Sequence, residues 1–111
     1  MSESLIRLCA VSDVPANSVK AVETEGNVLA VYNLDGTFYA TDDACTHGAA
    51  SLSDGYLDGE AIECFLHAGS FHIPSGKVKA PPCFVPLRTY KVVVRDDAVF
   101  VDLTREADAA G

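Results

Sequence analysis

Two cysteines and two histidines stand in two short groups whose spacing suits metal binding. The first group, C-T-H at 45–47, holds Cys45 and His47, and the second, C-F-L-H at 64–67, holds Cys64 and His67. We call these groups the first and second ligand arm. Thiolate and imidazole are ligands for both iron and zinc, so the set predicts either a mixed-ligand [2Fe–2S] centre or a Cys2His2 zinc site.

The pairing within each arm favours the iron–sulfur centre. Zinc sites usually group like with like, as C-x2-4-C followed by H-x3-5-H, whereas each arm here combines one cysteine with one histidine. In a mixed-ligand [2Fe–2S] centre one iron keeps two thiolates and the other takes two neutral imidazoles. That ligand set raises the reduction potential to roughly −150 to +300 mV, against about −400 mV for four-cysteine ferredoxins. The sequence therefore favours a carrier of single electrons, with zinc as the alternative.

Composition and charge exclude several other classes of function. The 111 residues contain 16 Asp and Glu against 8 Lys and Arg, which gives a formal net charge of −8. Such a surface repels nucleic acid and anionic lipid and suits a basic protein partner. No apolar stretch approaches the roughly 20 residues of a membrane span, and the N-terminus lacks the pattern of a secretory signal. We therefore expect a cytoplasmic protein in which Cys9 and Cys83 are buried thiols rather than a disulfide.

The turn signals predict an all-β fold. Short β-branched and aromatic runs are separated by E-G-N at 25–27, D-G at 35–36 and 58–59, S-G at 75–76, and D-D at 96–97. No stretch of 12 residues shows helical periodicity. We expect one domain over 1–111 with a frayed tail at 104–111, and a core that includes the aromatic side chains of the strands: Tyr32, Phe38, Tyr39, Tyr90 and Phe100.

Longer motifs around the arms carry a family resemblance. C-T-H-G at 45–48 and C-x-x-H-x-G-x-F at 64–71 resemble the two halves of the Rieske cluster motif. S-G-K-V-x-x-P-P at 75–82 and P-L-x-x-Y at 86–90 resemble soluble Rieske ferredoxins of bacterial ring-hydroxylating dioxygenase systems. The resemblance covers the chain as far as Leu103. It implies the Rieske iron–sulfur fold, with three small antiparallel sheets and the cluster held by two loops at one tip.

The resemblance also implies the ligands, the partners and the role. Cys45 and Cys64 would bind the inner iron and His47 and His67 the outer iron, while Pro81 and Pro82 would cover the edge of one [2Fe–2S] cluster. The chain would act as a monomeric carrier that takes electrons from a flavin-dependent, NAD(P)H-dependent ferredoxin reductase and passes them to a terminal Rieske oxygenase.

Two alternatives are weighed against this role. A Rieske oxygenase itself needs a mononuclear iron held by two histidines and a carboxylate, and only His72 remains once the arms are assigned. We therefore expect no substrate conversion by this chain. A zinc-stabilised or cluster-less Rieske-fold interaction subunit is the alternative, and metal content separates it from the carrier.

Departures from related Rieske proteins predict a low potential. The respiratory Rieske proteins add a cysteine to each of the two ligand loops, but the equivalent positions here are Ala50 and Leu66, so that disulfide cannot form. Gly69 and Phe71 stand where those proteins have a serine and a tyrosine that donate hydrogen bonds to the sulfurs. Fewer such bonds stabilise the reduced state less, so we expect a potential at the low end of the Rieske range.

The charges are unevenly distributed along the chain. Segment 42–63 contains six acidic residues and no Lys or Arg, whereas five of the eight basic residues lie between Lys77 and Arg95. If this segment surrounds the cluster, its carboxylates would steer basic partners towards it. An ordinary solvated face explains the same pattern equally well. His72 is interpreted as a surface histidine.

Overall fold

The structure is a computed structural model that describes residues 5–44, 51–64, 69–80 and 87–104. Within these ranges the chain forms ten β-strands and two short 3-10 turns, at Val11–Asp13 and Leu52–Asp54, and no α-helix. No helix in the described part is long and apolar enough to cross a membrane. The strands are β1 Leu5–Ala10, β2 Ser18–Thr24, β3 Asn27–Leu34, β4 Thr37–Asp42, β5 Tyr56–Asp58, β6 Ala61–Glu63, β7 Ser70–His72, β8 Val78–Ala80, β9 Thr89–Arg95 and β10 Ala98–Asp102.

Three hairpins use two-residue turns in which both residues have positive φ. This geometry matches the twist of the flanking strands and explains why Gly and Asp occupy the turns. The turn residues are Glu25 (φ 50°) and Gly26 (79°) between β2 and β3, Asp35 (54°) and Gly36 (96°) between β3 and β4, and Asp96 (53°) and Asp97 (60°) between β9 and β10. The turns predicted at 35–36 and 96–97 are confirmed. The turn predicted at 25–27 is one residue shorter, because Asn27 pairs with Thr24 and begins β3.

The other two turns differ from the predicted positions. Asp58 pairs with Ala61, so the turn between β5 and β6 consists of Gly59 and Glu60 rather than 58–59. Only Gly59 has positive φ, at 60°, as a turn with glycine in its first position requires. The connection between β7 and β8 spans 73–77 and is wider than the S-G signal alone predicts.

All strand pairs are antiparallel, and they form the small sheets that were expected. β1, β10 and β9 form one three-stranded group, and β2, β3 and β4 form another. Two residue pairs, Ala40 with Tyr90 and Thr41 with Thr89, join these groups into one six-stranded sheet of order β1-β10-β9-β4-β3-β2. The third unit is a four-stranded sheet of order β5-β6-β7-β8.

Strand β3 is buried on both faces and separates two cores. We call the first core A; it contains Ala30, Tyr32, Leu34, Leu52, Ile62, Cys64, Phe71, Ile73 and Leu87. We call the second core B; it contains Leu8, Cys9, Val14, Leu29, Val31, Phe38, Ala40, Tyr90, Val99 and Val101. Because successive side chains of a strand point to opposite faces, alternate residues of β3 enter alternate cores. Core A packs the four-stranded sheet against the six-stranded one.

The aromatic residues only partly follow the prediction. Tyr32, Phe38 and Tyr90 are buried, and Tyr39 is half-buried against core A. The prediction for Phe100 is wrong, since it is half-exposed and belongs to neither core. Its neighbours Val99 and Val101 enter core B, so alternation along β10 turns Phe100 to the other face.

Candidate metal centre

Cys64 is the one predicted ligand that lies within the described residues. It follows β6 directly, is fully buried and belongs to core A. Its backbone N–H donates to the carbonyl oxygen of Gly69 at 2.8 Å, a bond that spans the second arm. This thiol therefore stands at a fixed point of the backbone, at the edge of an apolar core.

Cys45, His47 and His67 lie outside the described residues, as do Ala50, Leu66, Pro81, Pro82, Cys83 and the tail from 105. The described residues on either side of the first arm are held firmly. Ala44 and Ser51 form an isolated antiparallel bridge. The two chain positions that flank 45–50 are therefore side by side.

Asp43 makes three hydrogen bonds beside that bridge. Its carbonyl oxygen accepts the N–H of Leu52 at 2.7 Å, and its carboxylate Oδ1 accepts the N–H of Ser53 at 2.9 Å. Its own N–H donates to the carbonyl of Val28 at 3.0 Å. Asp43 is only 4% exposed, so these three bonds satisfy a buried polar residue. The charge pattern of 42–63 does not indicate this role for Asp43, because the role depends on contacts up to 15 residues away along the chain.

Gly55 brings the flanks of the two arms together. A methyl group at this position would lie 2.2 Å from the carbonyl oxygen of Glu63 and 3.1 Å from that of Leu52. Glu63 immediately precedes Cys64, and Leu52 shares core A with Cys64. Only glycine permits this approach between the two backbones.

The segment 81–86 is anchored at the same core. The N–H of Leu87 donates to the carbonyl of Gly76 at 2.7 Å, and Leu87 belongs to core A with Leu52 and Cys64. Gly76 has a φ of +75°, and a methyl group there would lie 2.1 Å from the carbonyl oxygen of Leu87. The described residues next to 45–50, 65–68 and 81–86 therefore meet at one core.

The surroundings of Cys64 fit a mixed-ligand cluster. Replacing two thiolates by neutral imidazoles removes two negative charges from a [2Fe–2S] centre, so its oxidised form carries no net charge. A neutral group loses little hydration free energy beside apolar side chains, whereas a dianion loses much more. The described members of core A are apolar except for the phenol of Tyr32, whose hydroxyl is bonded to Thr41 Oγ1 at 2.8 Å.

A polar contact joins the strand before the first arm to the strand after 81–86. The Tyr90 hydroxyl donates to the Asp42 carboxylate, and the Asp42 N–H donates to the Arg88 carbonyl at 3.1 Å. The Arg88 guanidinium lies 5.2 Å from the centre of the Tyr90 ring. Burial, followed by the hydrogen bond to Asp42, raises the pKa of Tyr90 to about 12. The phenol therefore stays protonated as a donor throughout the neutral range.

Cys9 and His72 lie outside the ligand arms, and the structure describes both. Cys9 is buried in core B, as predicted, and burial raises the pKa of its thiol. His72 is half-buried, and its Nδ1 lies 2.7 Å from Ser75 Oγ while its Nε2 lies 3.3 Å from Glu60 Oε1. Ser75 Oγ also accepts the N–H of Lys77 at 3.2 Å, so it links the His72 ring to the backbone of the connection between β7 and β8. His72 is thus part of a hydrogen-bonded group rather than a simple surface residue.

Comparison with known proteins decides the family. The model of the Rieske [2Fe-2S] domain matches residues 4–91. The chain belongs to the Rieske [2Fe–2S] domain family. Its cofactor is therefore a Rieske-type [2Fe–2S] cluster, and the predicted family and fold are confirmed.

Individual Rieske proteins are similar over nearly the whole chain. The biphenyl dioxygenase ferredoxin subunit of Pseudomonas sp. strain KKS102 is 44% identical over 91% of this chain and 94% of its own. The ferredoxin of Sphingomonas yanoikuyae B1 has a TM-score of 0.84 and 49% identity, and the match covers 87% of this chain and 96% of that one. A chain in the complex of reduced oxygenase and oxidised ferredoxin of carbazole 1,9a-dioxygenase also has a TM-score of 0.84, with 42% identity over 91% and 94% of the two chains.

The approach at Gly55 generates a testable prediction. In Gly55→Ala the new methyl group meets the Glu63 carbonyl, so the flanks of the two arms must separate, and we expect unfolding to become easier by about 1–3 kcal/mol. We also expect less iron per purified chain. Gly26→Ala is the control, because no atom lies within 4 Å of its added methyl group and only its φ of +79° is strained. Urea unfolding with an iron assay on both variants tests this; equal iron content in the two variants would contradict it.

A second prediction concerns alkaline pH. The pKa of Tyr90 is raised in the folded state, so its contribution to stability is complete below pH 10, the ordinary value, and is lost as pH rises towards about 12. Tyr90→Phe has no proton to lose and should show a shallower fall in unfolding free energy between pH 10 and 12. Urea unfolding across this range measures both slopes. Parallel curves for the two proteins would show that Tyr90 is not the group responsible.

Proposed function

We propose that this chain is a one-electron carrier that links an NAD(P)H-dependent flavin reductase to a terminal aromatic-ring dioxygenase. Its cluster would be bound by Cys45, His47, Cys64 and His67, within a single domain over 1–111. The observation that carries the ligand assignment is the position of Cys64, buried at the end of β6 where the flanks of both arms meet. The names of the relatives, ferredoxin components of dioxygenase systems, support the role.

Each arm would contribute one thiolate and one imidazole. The bound [2Fe–2S] group supplies reversible one-electron chemistry at a moderate potential. The chain's own part would be to hold the thiolates at the apolar side. The backbone N–H of Cys64 is bonded to the carbonyl of Gly69, and the Ala44–Ser51 bridge joins the residues on either side of 45–50, which supports this arrangement. The imidazoles of His47 and His67 would then face the partners and provide the route for the electron.

The partners are proposed by analogy with the relatives. A chain 42% identical to this one is part of a complex between a ferredoxin and an oxygenase, which supports an oxygenase as the electron acceptor here. The reductase follows from the need for a source of single electrons. Because both partners would use one small surface, we propose that they bind in turn and weakly.

The decisive experiment is low-temperature EPR on the dithionite-reduced protein, with iron, sulfide and zinc assayed on the same sample. We expect a rhombic signal of low average g and two irons and two sulfides per chain. Cys64→Ser should abolish the signal, whereas Cys9→Ser, which alters a buried cysteine outside the arms, should keep it. One zinc per chain and no signal would instead establish the zinc-stabilised alternative.

The reduction potential tests the interpretation of Gly69 and Phe71. Gly69 is buried, and its carbonyl oxygen accepts a hydrogen bond from the backbone N–H of Cys64. Phe71 is fully buried in core A. Neither side chain can donate a hydrogen bond to a sulfur. We therefore expect a midpoint below 0 mV, in the lower part of the range of roughly −150 to +300 mV. A redox titration followed by the EPR signal measures it, and a midpoint well above zero would contradict the interpretation.

A further inference from the structure

Tyr56 is the most exposed large hydrophobic side chain of the described residues. Its exposed fraction is 61%, against 49% for Val94 and 44% for Val28. It opens β5, which forms one edge of the four-stranded sheet. A tyrosine in this position leaves a large apolar ring in water without any contribution to either core.

The charged side chains of β5, β6 and the turn between them are all acidic, and the lysine of the same sheet, Lys79, lies on β8 at its opposite edge. Tyr56 pairs directly with Glu63, and Asp58 lies two residues along the same strand, so all three side chains share the outward face. Leu57 and Ile62 point the other way, into core A. Asp54 and Glu60 are also exposed at the two ends of β5. Within 51–64, every residue of which is described, there is no Lys or Arg.

This face adjoins the second ligand arm. Glu63 directly precedes Cys64, and the Cα atoms of directly opposed residues in a sheet lie about 5 Å apart. Tyr56 therefore stands one strand away from the start of the arm. Gly55, which directly precedes Tyr56, lies close to the carbonyl oxygen of Glu63, and this approach fixes the backbone at the start of β5. An exposed aromatic side chain with carboxylates on both sides can bind a partner protein here, close to the second ligand arm.

We propose that the outward face of β5 and β6, centred on Tyr56, is the docking surface for a redox protein whose contact surface is basic. The inference rests on the electron-carrier role proposed above and adds the surface used and the charge of the partner. Tyr56 acts as the buried anchor on binding, since tyrosine loses little conformational freedom and is frequent at binding hot spots. The carboxylates provide long-range attraction to Lys and Arg side chains.

Binding can be located with a basic redox protein as the probe. Zinc-substituted cytochrome c is titrated into the oxidised chain, and the ring signals of its four tyrosines are followed by NMR, with Tyr56 assigned by its absence in Tyr56→Phe. We expect the Tyr56 signal to shift while the buried Tyr32 and Tyr90 stay unchanged. No shift at Tyr56, or no binding at all, would overturn the proposal. This titration detects binding at Tyr56 whether the chain contains iron or zinc. A negative result would therefore reject the docking surface without bearing on the electron-carrier role.

Kinetics of electron transfer to ferric cytochrome c provide the second test. At low salt we expect Tyr56→Ala to slow the bimolecular rate by about fivefold or more, as loss of a binding anchor does. Asp54→Asn/Asp58→Asn should slow it at least twofold and weaken its dependence on ionic strength. Val94→Ala, on the six-stranded sheet, is the matched control and should match the wild type. Tyr56→Ala and Val94→Ala should reduce ferricyanide at the wild-type rate, and the double Asp→Asn variant should reduce this anion at least as fast as the wild type. Equal cytochrome c rates in Tyr56→Ala and Val94→Ala would contradict the proposal.

Discussion

Burial of β3 on both faces is the constraint on which the remaining architecture depends. Leu29 and Val31 fill core B, while Ala30, Tyr32 and Leu34 fill core A. From Leu29 to Leu34 this strand has no solvated face, so its side chains are removed from water only when both sheets are in place. The six-stranded sheet closes core B on one side of β3, and the four-stranded sheet closes core A on the other. Cys64, the one predicted ligand among the described residues, lies in core A together with side chains of β3.

Backbone contacts, rather than side-chain packing, align the flanks of the ligand segments. Gly55 approaches the Glu63 carbonyl and Gly76 approaches the Leu87 carbonyl at distances that no side chain tolerates. Asp43 fixes the remaining flank, since its carbonyl oxygen accepts the N–H of Leu52 and its buried carboxylate accepts the N–H of Ser53. Contacts of this kind transmit position directly, because a backbone has fewer ways to relax than a long side chain. The Tyr90–Asp42 hydrogen bond adds a side-chain tie between β4 and β9.

The sequence predicted well those features that depend on local chemistry. Three two-residue turns follow from residues that tolerate positive φ, and the arm spacing indicates the cluster type because each ligand pair lies within four residues. Strand β1 carried no turn signal and was not identified. The turn at 59–60 was misplaced by one residue because D-G fits two turn types, and only the register decides between them. Asp43, Gly55 and the Tyr90–Asp42 pair were missed because their partners are distant in the chain, up to 48 residues away.

The hydrogen bonds around the metal centre also bear on how the protein is assembled. The Ala44–Ser51 bridge, the three bonds of Asp43 and the bond from Cys64 to Gly69 all join protein groups to one another. None of them uses a metal ligand atom, in contrast to a zinc finger, whose fold forms only when the metal binds. Loss of the cluster would therefore leave the donors and acceptors of these particular bonds unchanged, because each of them belongs to the polypeptide itself.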